Sequence, residues 1–281
     1  MKSIHVIAIV LCLGIFMSCD DSDDNFENDQ VGIEEPVDDL VRLSDIAVSD
    51  DEESNSFQTY DLSYNDLDLI ESIEFGGEDD RTVSLEYAAN NRLNRIVQQN
   101  DEGTITQDIS YDANELTVLK TFPTGDRQRT ILEIDLQNRI DRARTVTLDE
   151  NDNEEEFVSD LRYNYSENFN VRRIDELAEN GFTVERYSDF VYVFNNNPFR
   201  DMNDVLRFLI FPDFVPYTRY LPTRRIDVVR TSSTIFVERA IEYEYELDNR
   251  MFPISRTVQT NDADGIENTI EYFNYLPQST D

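Results

Sequence analysis

The chain is 281 residues long and carries 60 Asp and Glu against 24 Lys and Arg, a formal net charge of −36. A surface of that sign repels phosphate backbones and lacks the basic footprint that nucleic-acid binding requires, so nucleic acid is excluded as a partner.

Lys2 is followed by an apolar run from Ile4 to Met17, then by Ser18-Cys19 and an abrupt acidic stretch. A charged start, a short apolar core and a small residue at the cut describe a secretory leader over residues 1–18. As a helix the run reaches roughly 21 Å, short of a hydrocarbon core of about 30 Å, so it does not read as a permanent span. Phe16-Met17-Ser18-Cys19 resembles the lipobox of bacterial lipoproteins, which implies that Cys19 is lipidated and ties the chain to a membrane. Asp20-Asp21-Ser22-Asp23-Asp24 is similar to the acidic export signal of Bacteroidota lipoproteins. It implies an outer-membrane, surface-exposed address in the cell envelope, with the periplasmic face as the alternative.

Residues 19–39 are rich in Asp and Glu with no basic residue, and should form a disordered, self-repelling tether. Residues 40–281 then form the folded domain. The only histidine, His5, and Cys12 leave with the leader, while Cys19 is consumed by lipid. The remaining chain lacks the side chains for Ser-His-Asp or Cys-His nucleophiles, His or Cys zinc sites, haem or iron-sulfur ligation and disulfides. No cofactor, metal site or enzyme activity is expected. Carboxylate chemistry and hard cations survive, but Asp149 to Glu154 and Asn261 to Gly265 read as polar hairpin turns, with weak calcium binding a minor alternative. Lys120, the only lysine besides Lys2, lies among Leu116, Val118 and Leu119 and reads as a solvent-facing strand residue.

Beyond the tether the apolar residues alternate. In Ile235 to Leu247 the odd positions are apolar or aromatic except Arg239, and Val83-Leu85-Tyr87 and Leu132-Ile134-Leu136 repeat the pattern, which marks two-faced strands. A local motif recurs: a run ending in an aromatic, a polar turn, then Asn91-Arg92-Leu93, Asn138-Arg139-Ile140 or Asn249-Arg250-Met251. From Tyr64 to Tyr87 is 23 residues and from Tyr87 to Tyr111 is 24, the length of one hairpin with its turns.

These Tyr-turn-Asn-Arg hairpins, Tyr192 to Phe199 and the Tyr243-Glu244-Tyr245 to Phe252-Pro253 pair resemble YD-type repeats, and more closely the DUF4595-like lipoproteins of Bacteroidota. That resemblance implies a porin-like fold and assigns no activity. One segment breaks the β pattern: Asp201 or Asn203 caps a short helix near 201–211, ended by Pro212. It reads as a plug or lid, with Leu206, Phe208, Leu209 and Phe214 as candidate cavity or lid residues. The expected fold is all-β: an antiparallel up-and-down meander of ten to sixteen strands curled into an open or closed barrel. Strands such as Arg127 to Gln137 offer no lipid-facing apolar band.

Three functions follow. The first is a non-catalytic binding module anchored to the envelope, with glycan or envelope protein as partner. The second is a periplasmic lipid or lipoprotein carrier with an apolar cavity under the 201–211 helix. A carboxylate glycosidase ranks last.

Overall fold

A computed structural model of the chain describes residues 41–49, 58–77, 80–137, 139–166, 170–200, 202–211 and 218–276. The leader, Cys19, the tether, Asn138, Asp201 and Phe214 lie outside them. Sixteen strands pair antiparallel in chain order, and β1 (Leu43–Ser49) pairs with β16 (Ile266–Tyr275) to close the barrel. Between them run β2 (Gln58–Tyr64), β3 (Ile70–Gly76), β4 (Arg81–Tyr87), β5 (Leu93–Asn100), β6 (Gly103–Asp112), β7 (Glu115–Thr121) and β8 (Arg127–Ile134). The second half holds β9 (Ile140–Leu148), β10 (Glu154–Tyr165), β11 (Val171–Leu177), β12 (Val184–Asn196), β13 (Tyr220–Arg230), β14 (Ile235–Leu247) and β15 (Pro253–Asn261). The one described helix, α1 (Asp204–Ile210), replaces a turn between β12 and β13.

Alternation decides which side chains face inward. In β4, Val83 and Leu85 are buried while Thr82, Ser84 and Glu86 are exposed. Leu43, Ile46, Ile73, Phe75, Leu93, Ile96, Leu132 and Ile140 continue that buried set around the barrel. The polarity is the inverse of a membrane barrel, which turns an apolar band outward to lipid.

The unit of the repeat is a hairpin locked by its last tyrosine. Tyr64, Tyr87, Tyr111, Tyr165, Tyr192, Tyr245 and Tyr275 lie at or within four residues of the ends of even-numbered strands, and each hydroxyl donates to a backbone carbonyl near the start of the preceding odd strand. The acceptors are Leu43, Ile70, Leu93, Ile140, Val171, Pro222 and Pro253, at 2.6 to 2.9 Å. Ile134 ends β8, the one even strand of the eight without such a tyrosine. Burial pushes these phenols up, Tyr64 and Tyr87 to about 12, so they remain protonated donors at neutral pH.

The arginine of the motif serves the same lock. Arg92, Arg139 and Arg250 place their guanidinium groups 5.1, 4.0 and 5.9 Å from the ring centres of Tyr111, Tyr165 and Tyr275. Asp135 and Asp248 hold Arg139 and Arg250 by ion pairs of 2.5 and 2.8 Å. The same two aspartates, with Asn65 and Asp149, accept backbone N–H bonds from the residues two and four further on, which closes each five-residue turn. The fourth position is left-handed in the turns that begin at Asn65, Asp149 and Asp248 and in the one that begins at Ala88, filled by Asp68, Asp152, Asn91 and, against preference, Met251 (φ 64°).

Two expectations about strands change. Leu136 lies not in β8 but in the turn after it, 97% exposed, because the Asp135 side chain has already bent the backbone. The single alternation over 235–247 is broken: Asp227 pairs with Arg239 but Val228 with Val237, so Glu238 is an extra residue. A bulge of this kind puts the odd positions on its two sides on opposite faces. Ile235 and Val237 are accordingly exposed while Ile241 is buried.

Two outcomes test this account. Tyr165→Phe leaves the ring in place and removes the donor to Ile140, so chemical denaturation should show a loss of about 1 kcal/mol. Met251→Asn, at an exposed left-handed position, should raise stability by about 0.5–1 kcal/mol in the same measurement.

Candidate functional site

A round barrel of sixteen strands is too wide for side chains alone to fill, as the aqueous channels of membrane barrels of that size show. Here the interior is filled in two ways and otherwise left hollow. At the tyrosine end, α1 and its flanks enter the barrel, with Phe199, Val205, Leu206 and Phe211 joining the buried core. Asn203 caps the helix through Oδ1, which accepts from the N–H groups of Val205 (2.9 Å) and Leu206 (3.3 Å). Asn197, fully buried, ties the plug at its base. Its Nδ2 donates to the carbonyl and hydroxyl of Thr218, and its Oδ1 accepts from the N–H of Phe199.

Along β12 to β16, ion pairs occupy the inward face. Asp227 accepts from Ser188 (2.6 Å), Arg225 (2.7 Å) and Arg239 (2.8 Å), and Arg256 pairs with Glu271 at 2.5 Å. Burial works against ionisation of Asp227, but the Arg225 charge and the three donors outweigh it and hold the carboxyl below its ordinary range.

The remaining space is a cavity of about 600 Å³ inside β2 to β10, within the usual range for small-molecule sites. Its apolar surface comes from Tyr60, Phe75, Val83 and Val118 and from Phe208 to Phe211 of the plug. Its polar wall is Gln98, Gln107, Gln128, Thr130, Thr145 and Ser159, with the cations Arg81 and Lys120. Among the described residues the lining includes no Asp or Glu, so it offers no carboxylate pair for glycoside hydrolysis.

The structure divides the candidate cavity residues. Phe208 and Leu209 line the lumen, whereas Leu206 is buried on the other side of the helix, against a small crevice with Tyr64 and Tyr87. Phe214 and Cys19 lie outside the described residues. Lys120 corrects the sequence reading: it points into the lumen, where burial first and the Arg81 charge second lower its pKa. It shares the parity of buried Leu116 and Val118, and that was the available signal. Gln107 and Asn197 carried no comparable mark. Asp149 to Asn153 forms the expected polar turn, in which Asp149 accepts from Asn151 and Asn153. Among the described residues no three His, Cys, Asp or Glu gather in a metal-holding group.

These features define a class: a closed sixteen-stranded barrel, polar outside, plugged at one end and hollow towards the other. A porin-like protein from Bacteroides uniformis shares this fold at 16% identity, with a TM-score of 0.54 over 83% of this chain and 96% of that one. A porin-like protein from Bacteroides vulgatus is similar at 14% identity and a TM-score of 0.43, over 85% of this chain and 100% of that one. No family model matches the chain, and no curated protein matches it.

A carboxyl with a depressed folded pKa stabilises the fold above its unfolded pKa, about 3.9, and loses that contribution as pH falls through the folded value. Asp227→Asn should therefore cost about 1.5–3 kcal/mol at pH 7, with the difference from wild type shrinking by pH 3. Urea denaturation at the two pH values checks it.

Proposed function

We propose that this protein is a lipid-anchored envelope protein of the DUF4595-like kind, whose barrel stands in water and binds a ligand in its lumen without catalysis. The observation that carries the reading is the inverted polarity around a hollow. Outward positions hold Asp61, Glu74, Glu86, Asp108 and Glu133, and inward ones hold a plug and a lined cavity. An outer surface with that many carboxylates is unsuited to hydrocarbon, where a charged side chain on the lipid face costs a barrel stability. The lipobox ending at Cys19 supplies the membrane attachment that such a barrel cannot supply for itself, since two or more acyl chains hold a protein stably. The acidic residues after Cys19 favour the outer face of the outer membrane. A recessed cavity of this size takes a small molecule or the end of a larger one, such as a glycan or lipid, in preference to a flat protein surface.

The test is the fate, in the producing cell, of a Cys19→Ala variant whose residues 1–18 are exchanged for an ordinary cleaved secretion leader. The variant should lose incorporation of labelled palmitate and appear in detergent-free soluble fractions. Retention of the unlipidated chain in washed membranes, extractable only by detergent, would mean that the barrel itself is embedded.

A further inference from the structure

We infer that the lumen takes an amphiphilic monoanion, a carboxylate on an apolar body, with Lys120 as its charge partner. The inference rests on the reading of the lumen as a ligand site and names the chemistry of the ligand.

Lys120 stands in register with Gln107 on one neighbouring strand and Gln128 on the other. Its ammonium lies 4.7 Å from the centre of the Phe122 ring, and among the described residues no carboxylate pairs with it. That is unusual in a chain with 60 acids. On the outer face, Arg95, Arg142 and Arg173 each find an aspartate at 2.5 to 2.7 Å. The inner cation stands where the described lining holds no Asp or Glu, beside a second cation, Arg81, stacked 4.0 Å from Phe75.

Hydrogen-bond donors surround the same point. The side-chain amides of Gln98, Gln107 and Gln128 line the cavity and make no hydrogen bond to described residues. These amides face the open space of the cavity, and an amide beside an ammonium presents a donor set that fits a carboxylate. Burial and the Arg81 charge both disfavour the protonated amine, and an anion in contact relieves both.

Two further surfaces narrow the class. Phe208, Leu209 and Phe211 form an apolar floor that suits an alkyl or ring body. The adjoining recess shares Ile105 and Gln128 with the lumen and carries Glu102, Asp126, Glu155 and Glu156, an acidic approach that repels polyanions far more than a single charge. A nucleotide or polyphosphate is thereby disfavoured.

Isothermal titration of the full chain with decanoate, decan-1-ol and decylammonium tests the inference. Decanoate should bind. Lys120→Met should weaken it by about 10- to 100-fold, the loss expected for one charge-assisted contact, and Lys120→Arg should restore most of the affinity. Binding of decan-1-ol should be indifferent to Lys120→Met, while Leu209→Glu should weaken both ligands, placing them in the lumen. An unchanged thermal midpoint for Lys120→Met shows that the barrel is intact. Equal binding of decanoate and decan-1-ol, with Lys120→Met affecting neither, overturns the anion assignment and leaves the lumen as a binding site. No binding by any of the three overturns the lumen reading as well.

Discussion

Pairing of β1 with β16 is the constraint on which the rest of the molecule depends. An open sheet of this many twisted strands leaves two edges of unpaired N–H and C=O groups, which invite association with other chains. Closure removes both edges and creates an interior that has to be occupied. Small barrels fill themselves with side chains, but sixteen strands enclose more space than side chains reach across. The plug, the inward ion pairs of β12 to β16 and the cavity are three answers to one geometric demand. Two of them fill space, and the third leaves room for a ligand.

The repeat explains how so long a sheet keeps its register. A strand that slips by one residue turns its apolar face outward, which a half-buried sheet penalises along its whole length. Each hairpin adds a local check: the terminal tyrosine reaches back to the carbonyl near the start of its partner strand, and an arginine covers several of the rings. Each such bond contributes only about 1 kcal/mol, but seven of them spread around one rim oppose slippage in nearly every hairpin. With the frame so repetitive, individuality is confined to the connection where α1 stands in for a turn. That connection decides what remains of the lumen.

Much of this architecture was legible in the residues. Alternation in Val83-Leu85-Tyr87 gave the two faces, the spacing of Tyr64, Tyr87 and Tyr111 gave the hairpin length, and Asn203 ahead of Val205 and Leu206 gave the helix. Closure was not legible, because pairing between the first and last strands spans the whole chain and leaves no local mark. The bulge at Glu238 escaped because the composition on both sides of it still alternates, although the faces exchange. Lys120 was misplaced because a lysine is ordinarily assigned to solvent, whereas in a wide barrel one inward face can itself be polar. The buried latch of Asn197 depends on Thr218, 21 residues away, and only the folded chain brings them together.

The central claim is that the outer wall of this barrel faces water, not lipid. Single cysteines can be placed at Glu74, Glu86, Thr106 and Glu133, a set spread over four strands, in cells that display the otherwise native, lipidated chain. The most direct measurement is their rate of reaction with a membrane-impermeant maleimide after the outer membrane is opened, compared with the detergent-solubilised protein. The account predicts equal rates at all four positions in both states. A block of positions that stay protected until detergent is added would contradict it.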